Sequence, residues 1–387
     1  MTLLEVLAKK RVLICCGSGG VGKTSTSAAL GLLAAKLGRK AIVVTVDPAR
    51  RLATALGISL EDNAENRIPV DKIEAAGLHV PGEFYGMMLN AKRTFDEIVT
   101  RRASSPEARD RILNNPAYIH GSTALVGSPD YMAMEKLHEL LHERNYDLLI
   151  VDTPPLKHAL DFLSAPERFQ GMLTDNPLIR ILVQTMRSSG GRPSLFARAG
   201  KEAVFRVVSL VTGEKAIRDA AEFFGAFSDL MGGFSGRAKA MSRILRSPEC
   251  GLLIVTSPNL ITIEEALFLH HRIRGYGMPF AGFIVNRTRP DYFGGSGANY
   301  AEEVAAEKLK QQASSAGVAP ELLGALFSEM RWHGVQRRTE EKNIALLERE
   351  LQGAEFLQRV PEFPRDIADL KGLAELGKWL EGQEVSG

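Results

Sequence analysis

Four glycines, a lysine and three hydroxyl residues crowd the stretch "ICCGSGGVGKTS", residues 14–25, at the end of an apolar run. They fit the phosphate-binding pattern G-x-x-x-x-G-K-[ST] as Gly17, Gly22, Lys23 and Thr24. Glycines let backbone N–H groups converge on phosphate oxygens at a helix N-terminus, where the helix dipole also favours an anion. We therefore expect Lys23 to reach the β- and γ-phosphates and Thr24 to ligate Mg²⁺.

Two acids end apolar runs further along the chain. Asp152 closes "YDLLIVD", the place of the acid that holds Mg²⁺ directly or through water. Asp47 lies in "TVDPARR" before a proline that restricts the turn. Asp47 either orients or deprotonates an attacking water, or it caps the following helix. We predict Thr24 and Asp152 as metal ligands, and Lys23 and Asp47 as catalytic residues.

Asn286 ends another apolar run, "FAGFIVNR", and bears on the choice of base. An asparagine amide matches the N6/N7 edge of adenine. Guanine recognition would instead want an acid three residues later, as in N-K-x-D, where this chain has Arg289. ATP is therefore favoured over GTP.

The elements that must position these residues alternate between strands and helices. Apolar runs beginning "RVLICC", "KAIVVTVDPA", "YDLLIVDTPP", "GLLIVTSP" and "FAGFIVNR" are typical of buried strands, and "KTSTSAALGLLAAKLG" predicts a helix ending at Gly38. Such an order predicts an α/β fold with a mainly parallel sheet flanked by helices. Ligands of these sheets bind at the carboxyl ends of the strands, where all the polar residues above lie.

Composition limits the class of protein. A chain of 387 residues with 45% hydrophobic and 24% charged residues is an ordinary globular protein of two or three domains. Its formal net charge of +2 gives no reason to expect nucleic acid as a partner. No apolar run approaches the roughly 18 residues that span a bilayer, so we expect a cytoplasmic chain without an integral membrane segment. The three cysteines form no C-x-x-C pair, and Cys15 and Cys16 are expected to be core thiols.

The order of the motifs resembles the arsenite-pump ATPase and tail-anchored-protein targeting ATPase family, a group of MinD-like P-loop ATPases. The resemblance rests on "GSGGVGKTS", "VDPA", "DTPPLKHALDFLSAPE", "TSPN", "IEEAL", "VNR" and "VPEFPRDIADLKGLAEL". It implies a dimeric ATPase with switch I at 47–49 and switch II at 152–158. One phosphate loop in the chain implies pairing with a second copy or a paralogue. The predicted nucleotide-binding residues are Gly17, Ser18, Gly19, Gly20, Val21, Gly22, Lys23, Thr24, Ser25, Pro258 and Asn286.

The chain departs from the family pattern at two places in the site. The family loop reads G-K-G-G-x-G-K-[ST], and its first lysine reaches the partner's nucleotide; here that position is Ser18, which carries no charge. Arg50 and Arg51 follow switch I, where either could supply the missing cation in trans or simply lie on the surface of a helix start. We assign the role to Arg50, which stands in the place of a family histidine, and expect slow basal turnover.

Other departures concern the cargo. The zinc-binding C-x-x-C of the family and the clustered thiols that arsenite needs are absent, so a zinc-clamped dimer and an arsenite pump are disfavoured. The chain looks closer to a bacterial branch that opens C-G-S-G-G-V-G-K and whose cargo is unassigned. Two other classes stay open: a small-molecule P-loop kinase or ligase, and a DNA-associated partitioning ATPase, for which a basic surface would be expected.

We predict two structural units. Residues 1–84, 126–165 and 246–387 form the nucleotide-binding α/β domain, and residues 85–125 and 166–245 form an inserted helical subdomain. Segments of 166–245 are rich in Phe and Met at helical spacing. They suit either a groove for an apolar helix of a client protein or, as the plainer assignment, the subdomain core and its dimer contact.

Overall fold

The computed structural model of the protein describes residues 1–46, 51–57, 63–103, 105–115, 129–168, 233–290, 307–308, 311–312, 315 and 320–382. Several predicted features lie outside these ranges. They are Asp47, Arg50 and residues 169–232 of the Phe- and Met-rich region. The side chains of residues 156–158, at the end of the predicted switch II, also lie outside what is described.

The described strands are β1 (Val12–Cys16), β2 (Lys40–Thr45), β3 (Asn66–Arg67), β4 (Glu83–Met88), β5 (Leu148–Asp152), β6 (Cys250–Thr256), β7 (Phe280–Thr288) and β8 (Phe356–Pro361). The helices are α1 (Leu3–Lys9), α2 (Lys23–Lys36), α3 (Arg51–Leu56), α4 (Val70–Ala75), α5 (Ala91–Arg102), α6 (Pro106–Leu113), α7 (Pro129–Glu143), α8 (Leu156–Leu163), α9 (Leu260–Gly275), α10 (Pro320–Glu348) and α11 (Leu370–Leu380). Residues 233–246 are also helical.

These strands form one sheet in the order β3-β4-β2-β5-β1-β6-β7-β8. Only β3 runs antiparallel to its neighbour, so the predicted α/β fold with a mainly parallel sheet is confirmed. The five apolar runs correspond to β1, β2, β5, β6 and β7. The domain boundary predicted after residue 84 falls inside β4, which pairs with β2 as far as Met88, and the division into two units stays a prediction.

Two apolar layers cover the faces of the sheet, because successive strand residues point to opposite sides. On β1, Ile14 and Cys16 face one layer while Leu13 and Cys15 face the other. Both thiols are fully buried, and burial raises the pKa of Cys16 to about 12 and that of Cys15 further. The prediction that they are core thiols on opposite faces is confirmed.

The last helix, α11, closes one layer. Asp369 caps it by accepting a hydrogen bond from the Gly372 amide at 2.7 Å, and its apolar face packs against α2 and β8. None of the helices in the described ranges is long and apolar enough to cross a bilayer.

On the other face lies a helical layer formed by α5, α7 and the helical segment 233–246. The Tyr131 hydroxyl of α7 lies within hydrogen-bond distance of the Glu135 carboxylate and of the Phe234 carbonyl, and Arg237 donates to the Glu135 carboxylate. Apolar residues of α7 and of 233–246 belong to the same buried cluster as β1 and β5. The described part of the predicted helical subdomain thus shares a core with the sheet.

Candidate functional site

The loop between β1 and α2 holds the predicted phosphate-binding residues. Gly17 and Gly22 both have positive φ, +147° and +94°. A Cβ at Gly17 would lie 2.0 Å from the Val255 carbonyl oxygen, and a Cβ at Gly22 would lie 2.3 Å from Asn286 Nδ2. Any larger residue would therefore strain the backbone and displace the ends of β6 or β7.

The start of α2 is arranged to receive an anion. Gly22 is the N-cap, and it offers no side chain to bond the first-turn N–H groups. Lys23, which is buried, donates a hydrogen bond from Nζ to the Ser18 carbonyl oxygen at 2.7 Å, so it folds back over the loop. A phosphate oxygen would be a stronger acceptor for this ammonium group than a neutral carbonyl, because the bond would then join two charges.

Asp152 connects this loop to the sheet. It is fully buried at the end of β5, and its Oδ2 accepts hydrogen bonds from Thr24 Oγ1 at 2.7 Å and from Thr45 Oγ1 at 3.0 Å. Both predicted metal ligands, Thr24 and Asp152, therefore meet at one point. Mg²⁺ prefers hard oxygen ligands and is commonly held by one or two protein groups together with water and phosphate. A carboxylate and a hydroxyl at the mouth of the phosphate loop fit that preference.

A cavity of about 760 Å³ opens beside the loop. Gly22, Ser25 and Asn286 of the predicted nucleotide-binding set line it, together with Arg51 at the start of α3. Its opposite wall belongs to the segment 362–367, which follows β8. The cavity has the size of an ordinary small-ligand site, and it lies at the carboxyl edge of the sheet as the strand order requires.

Asn286 lies against the loop as well as the cavity. Its Nδ2 donates to the Val21 carbonyl oxygen at 2.9 Å, and its Oδ1 accepts from the Arg287 amide at 3.0 Å. Arg287 adopts a left-handed φ of +61°, at the register shift between β7 and β8. Pro258 is buried and its carbonyl accepts from Asn343 Nδ2 at 2.9 Å, but it is not among the described residues that line the cavity.

Ser18, where the family pattern has a lysine, is paired with an acid. It is buried, and its hydroxyl donates to the carboxylate of Glu265 on α9. Because α9 starts just after β6, this bond links the first turn of the loop to the neighbouring strand connection. Ser18 thereby holds the loop without adding positive charge.

Some predicted site residues cannot be placed. Asp47 and Arg50 lie outside the described residues, so their catalytic roles stay predictions. Their neighbour Arg51 begins α3 and lines the cavity. Gly19 and Gly20 lie in the loop, where a Cβ would meet no atom within 4 Å, but the φ of +77° at Gly20 would strain any side chain placed there.

One further group of possible metal ligands occurs among the described residues, made of His270, His271 and Glu350. Arg274 Nε donates to His270 Nε2 at 2.8 Å, so the proton of the neutral ring is assigned to Nδ1, which faces Glu350 at 3.7 Å. A metal-bound histidine needs the opposite arrangement, with its second ring nitrogen donating. Burial and the charge of Arg274 also lower the pKa of His270 to about 4. We assign these residues to a hydrogen-bonded contact between α9 and the end of α10.

Sequence patterns missed three contributors to the site. Thr45, Glu265 and the segment 362–367 reach it only through the fold. For Thr45, a signal was available in the single hydroxyl at the end of an apolar strand. For the segment, the signal was the stretch "VPEFPRD", which carried the family resemblance but was given no role.

Comparisons with known proteins agree with the geometry. The family model described as "Anion-transporting ATPase" matches residues 10–314. A putative arsenical pump-driving ATPase 1 of Aquifex aeolicus is 25% identical over 288 residues, covering 73% of this chain and 64% of that protein. ATPase GET3 of Malassezia globosa is 25% identical over 175 residues, covering 45% and 48%, and an ATPase ASNA1 homolog of Entamoeba dispar is 28% identical over 178 residues, covering 45% and 52%. The matched part thus spans less than two thirds of each of these relatives.

Proposed function

The chain belongs to the anion-transporting ATPase family, and from that premise we propose that it binds ATP with Mg²⁺ at the loop after β1 and hydrolyses it to ADP and phosphate. The observation that carries the proposal is the meeting of Lys23, Thr24 and Asp152 at the N-terminus of α2. A loop with only a structural role would need neither the buried lysine nor the acid. The shared contact of Thr24 and Asp152 supports a metal-assisted reaction on a phosphate chain.

Each residue has a defined part in this mechanism. Lys23 exchanges the Ser18 carbonyl for phosphate oxygens, while the first-turn N–H groups of α2 bind the same phosphates. Thr24 and Asp152 hold Mg²⁺, which when bound neutralises charge on the β- and γ-phosphates. Asp47 accepts a hydrogen bond from the attacking water and orients it toward phosphorus.

Asn286 retains the capacity to bind adenine. A side-chain amide has two donor hydrogens and two acceptor lone pairs, and the contacts with Val21 and Arg287 use one of each. One donor and one lone pair are left for N7 and N6 of the base. Arg289, where guanine recognition would need an acid, is paired with Glu340 at 3.0 Å. These features support ATP over GTP.

We further propose that the protein works as a dimer, of two copies or with a paralogue, that couples nucleotide state to a protein or membrane client. The neutral Ser18 leaves the trans cation to another residue, and Arg50 is the candidate. Arsenite is not proposed as cargo, because Cys15, Cys16 and Cys250 are all buried and burial raises the pKa of each thiol. The Phe- and Met-rich sequence of 166–245 supports a client that presents an apolar helix.

Phosphate release from ATP and from GTP tests the proposal, with and without small-molecule acceptors and random DNA. We expect slow, Mg²⁺-dependent release from ATP that needs no acceptor. Phosphorylation of an added acceptor without free phosphate would instead identify a kinase, and ATP-dependent retardation of DNA would identify a partitioning ATPase. Proteins that copurify with Asp47→Asn but not with Lys23→Ala would identify the client.

The source of the trans cation is tested separately. Arg50→Ala should lower turnover and leave ATP affinity nearly unchanged, whereas Arg67→Ala, which removes an arginine outside the site, should change neither. Mixing Arg50→Ala with Lys23→Ala subunits then shows whether the arginine acts across the dimer. Turnover that is unchanged in an Arg50→Ala, Arg51→Ala double variant would exclude both arginines.

A further inference from the structure

We propose that Thr45 is a positioning residue that holds the Asp152 carboxylate in place for Mg²⁺, an inference that rests on the proposed binding of ATP with Mg²⁺. Thr45 is the last residue of β2 and is buried. Its Oγ1 lies 3.0 Å from Asp152 Oδ2, the same oxygen that accepts from Thr24 Oγ1 at 2.7 Å. The Asp152 carboxylate thus accepts hydrogen bonds from two elements, from Thr24 next to the phosphate loop and from Thr45 on the neighbouring strand.

The hydroxyls of Thr24 and Thr45 have different roles. A hydroxyl has one proton and two lone pairs, so Thr24 can donate to Asp152 and still offer a lone pair to the metal. Thr45 lies on a strand rather than in the phosphate loop, and its contribution is to fix the carboxylate. Groups that orient a ligand in this way affect metal affinity strongly although they do not touch the metal.

The backbone makes Thr45 a rigid anchor. Thr45 and Asp152 are direct partners in the parallel ladder of β2 and β5, and the Val46 amide donates to the Asp152 carbonyl at 3.0 Å. On its other side, the Thr45 carbonyl accepts from the Leu89 amide at 3.0 Å. Because the ladder register brings the Thr45 hydroxyl to the acid, the hydroxyl needs no loop movement to reach it.

The residue type also points to a role in the site. Val43 and Val44 precede Thr45, and valine would fill the same volume at the end of this buried strand. Burying a hydroxyl costs free energy unless it is hydrogen-bonded, and here its bond goes to the predicted metal ligand. Thr45→Val therefore removes the bond to Asp152 while it keeps shape and strand preference.

The test measures the affinity for a fluorescent ATP analogue with Mg²⁺ and with EDTA, in wild type, Thr45→Val, Thr45→Ala and Thr45→Ser. We expect Thr45→Val and Thr45→Ala to raise the Mg²⁺ concentration needed for half-maximal binding by about 10-fold, since a hydrogen bond to a charged group is lost. Affinity in EDTA should stay within about twofold of wild type. Thr45→Ser, which keeps the hydroxyl, should restore the Mg²⁺ response.

Thr94→Val is the matched control, because Thr94 of α5 is equally buried and its hydroxyl accepts from Asn63 Nδ2 and donates to the Asn90 carbonyl rather than to Asp152. It should leave the Mg²⁺ response unchanged. An unaltered Mg²⁺ response in both Thr45→Val and Thr45→Ala, or equal losses with Mg²⁺ and EDTA, would overturn the role of Thr45. Failure of the wild type to bind the analogue under either condition would instead overturn the proposed function.

Discussion

Two buried carboxylates, Asp152 at the phosphate loop and Glu135 in the helical layer, are held in contrasting ways. Asp152 accepts hydrogen bonds from the neutral hydroxyls of Thr24 and Thr45. Glu135 accepts from the phenol of Tyr131 and from the guanidinium of Arg237, whose positive charge balances its own. The two hydroxyls orient the Asp152 carboxylate through neutral hydrogen bonds, whereas the Arg237 guanidinium also brings a positive charge to the Glu135 carboxylate.

The contrast separates the buried carboxylate of the proposed site from one that joins two helices of the fold. Burial raises the pKa of Glu135 although Arg237 opposes the rise, and the resulting pair joins α7 to the segment 233–246. Changes at the phosphate loop should therefore alter ligand binding with little effect on stability. Changes in the helical layer should do the reverse.

The largest effect is expected from Lys23→Ala. Hydrolysis should fall by about 100-fold or more and ATP binding should weaken, because a donor aimed at the developing phosphate charge is removed. The unfolding midpoint without nucleotide should stay close to that of wild type. Exposed Lys9→Ala is the control, and phosphate release together with thermal unfolding makes the measurement. Turnover within a few-fold of wild type would contradict the assignment of the loop.

Arg237→Ala should lower stability and leave ATP binding unchanged, the reverse of what is expected for Lys23→Ala. It removes the guanidinium partner of Glu135, whose side chain is 3% exposed, and breaking such a buried pair typically costs about 3–5 kcal/mol. ATP affinity of the folded fraction should not change. Chemical denaturation compares this variant with Lys239→Ala, an exposed residue of the same helical segment. Equal unfolding midpoints for the two variants would show that the pair is not needed for stability.

The free energy of unfolding should depend on pH through His138 in the helical layer. Burial, aided by the charges of His142 and Arg237, lowers the pKa of His138 to about 4, below its usual 6.5. The unfolded chain then binds the extra proton first, so stability should fall as the pH drops from about 6.5 toward 4. Because His138 is partly exposed and solvent screens it, we expect His138→Gln to remove only about 1 kcal/mol of the loss between pH 7 and 5. Urea unfolding of wild type, His138→Gln and the control His79→Gln at both pH values measures the difference. An equal loss of unfolding free energy between pH 7 and 5 in all three proteins would refute the prediction.

The smallest effect concerns the pair of Ser18 and Glu265. Glu265→Gln keeps a hydrogen-bond acceptor for Ser18 but removes a negative charge beside the phosphate loop. ATP affinity should rise about two- to threefold at low salt and the gain should shrink at high salt, because screening weakens the repulsion. Glu264→Gln, its exposed neighbour on α9, should show a smaller change. Titration of a fluorescent nucleotide at two salt concentrations decides between them, and a salt-independent gain would point to altered loop geometry instead.

Local sequence patterns predicted the parts of the site that are local in structure. Strand, glycine loop and helix follow one another within residues 12–36, so spacing alone located Gly22 and Lys23. Asp152 could be predicted because a buried strand ends there and parallel strands meet at their carboxyl edge. The mainly parallel sheet followed from the same apolar runs.

The remaining parts depend on contacts between distant residues. In β8, Gln358 donates to the Trp379 carbonyl and Arg359 pairs with Glu341, so an edge strand carries polar residues that hide its pattern. The segment 362–367 borders the cavity only after β8 has paired with β7. Thr45 lies next to Asp152 only because β2 pairs with β5, and no single stretch of sequence shows that pairing.

The central position of β1 also has a consequence for synthesis on the ribosome. This strand is made before both of its ladder partners, β5, beginning at Leu148, and β6, beginning at Cys250. At about 5–20 residues per second, translation from β1 to the end of β6 takes on the order of 10–50 s. Throughout that time the apolar strand β1 lacks at least one of its two ladder partners, so we expect the nascent chain to be a substrate for chaperones that shield exposed strands.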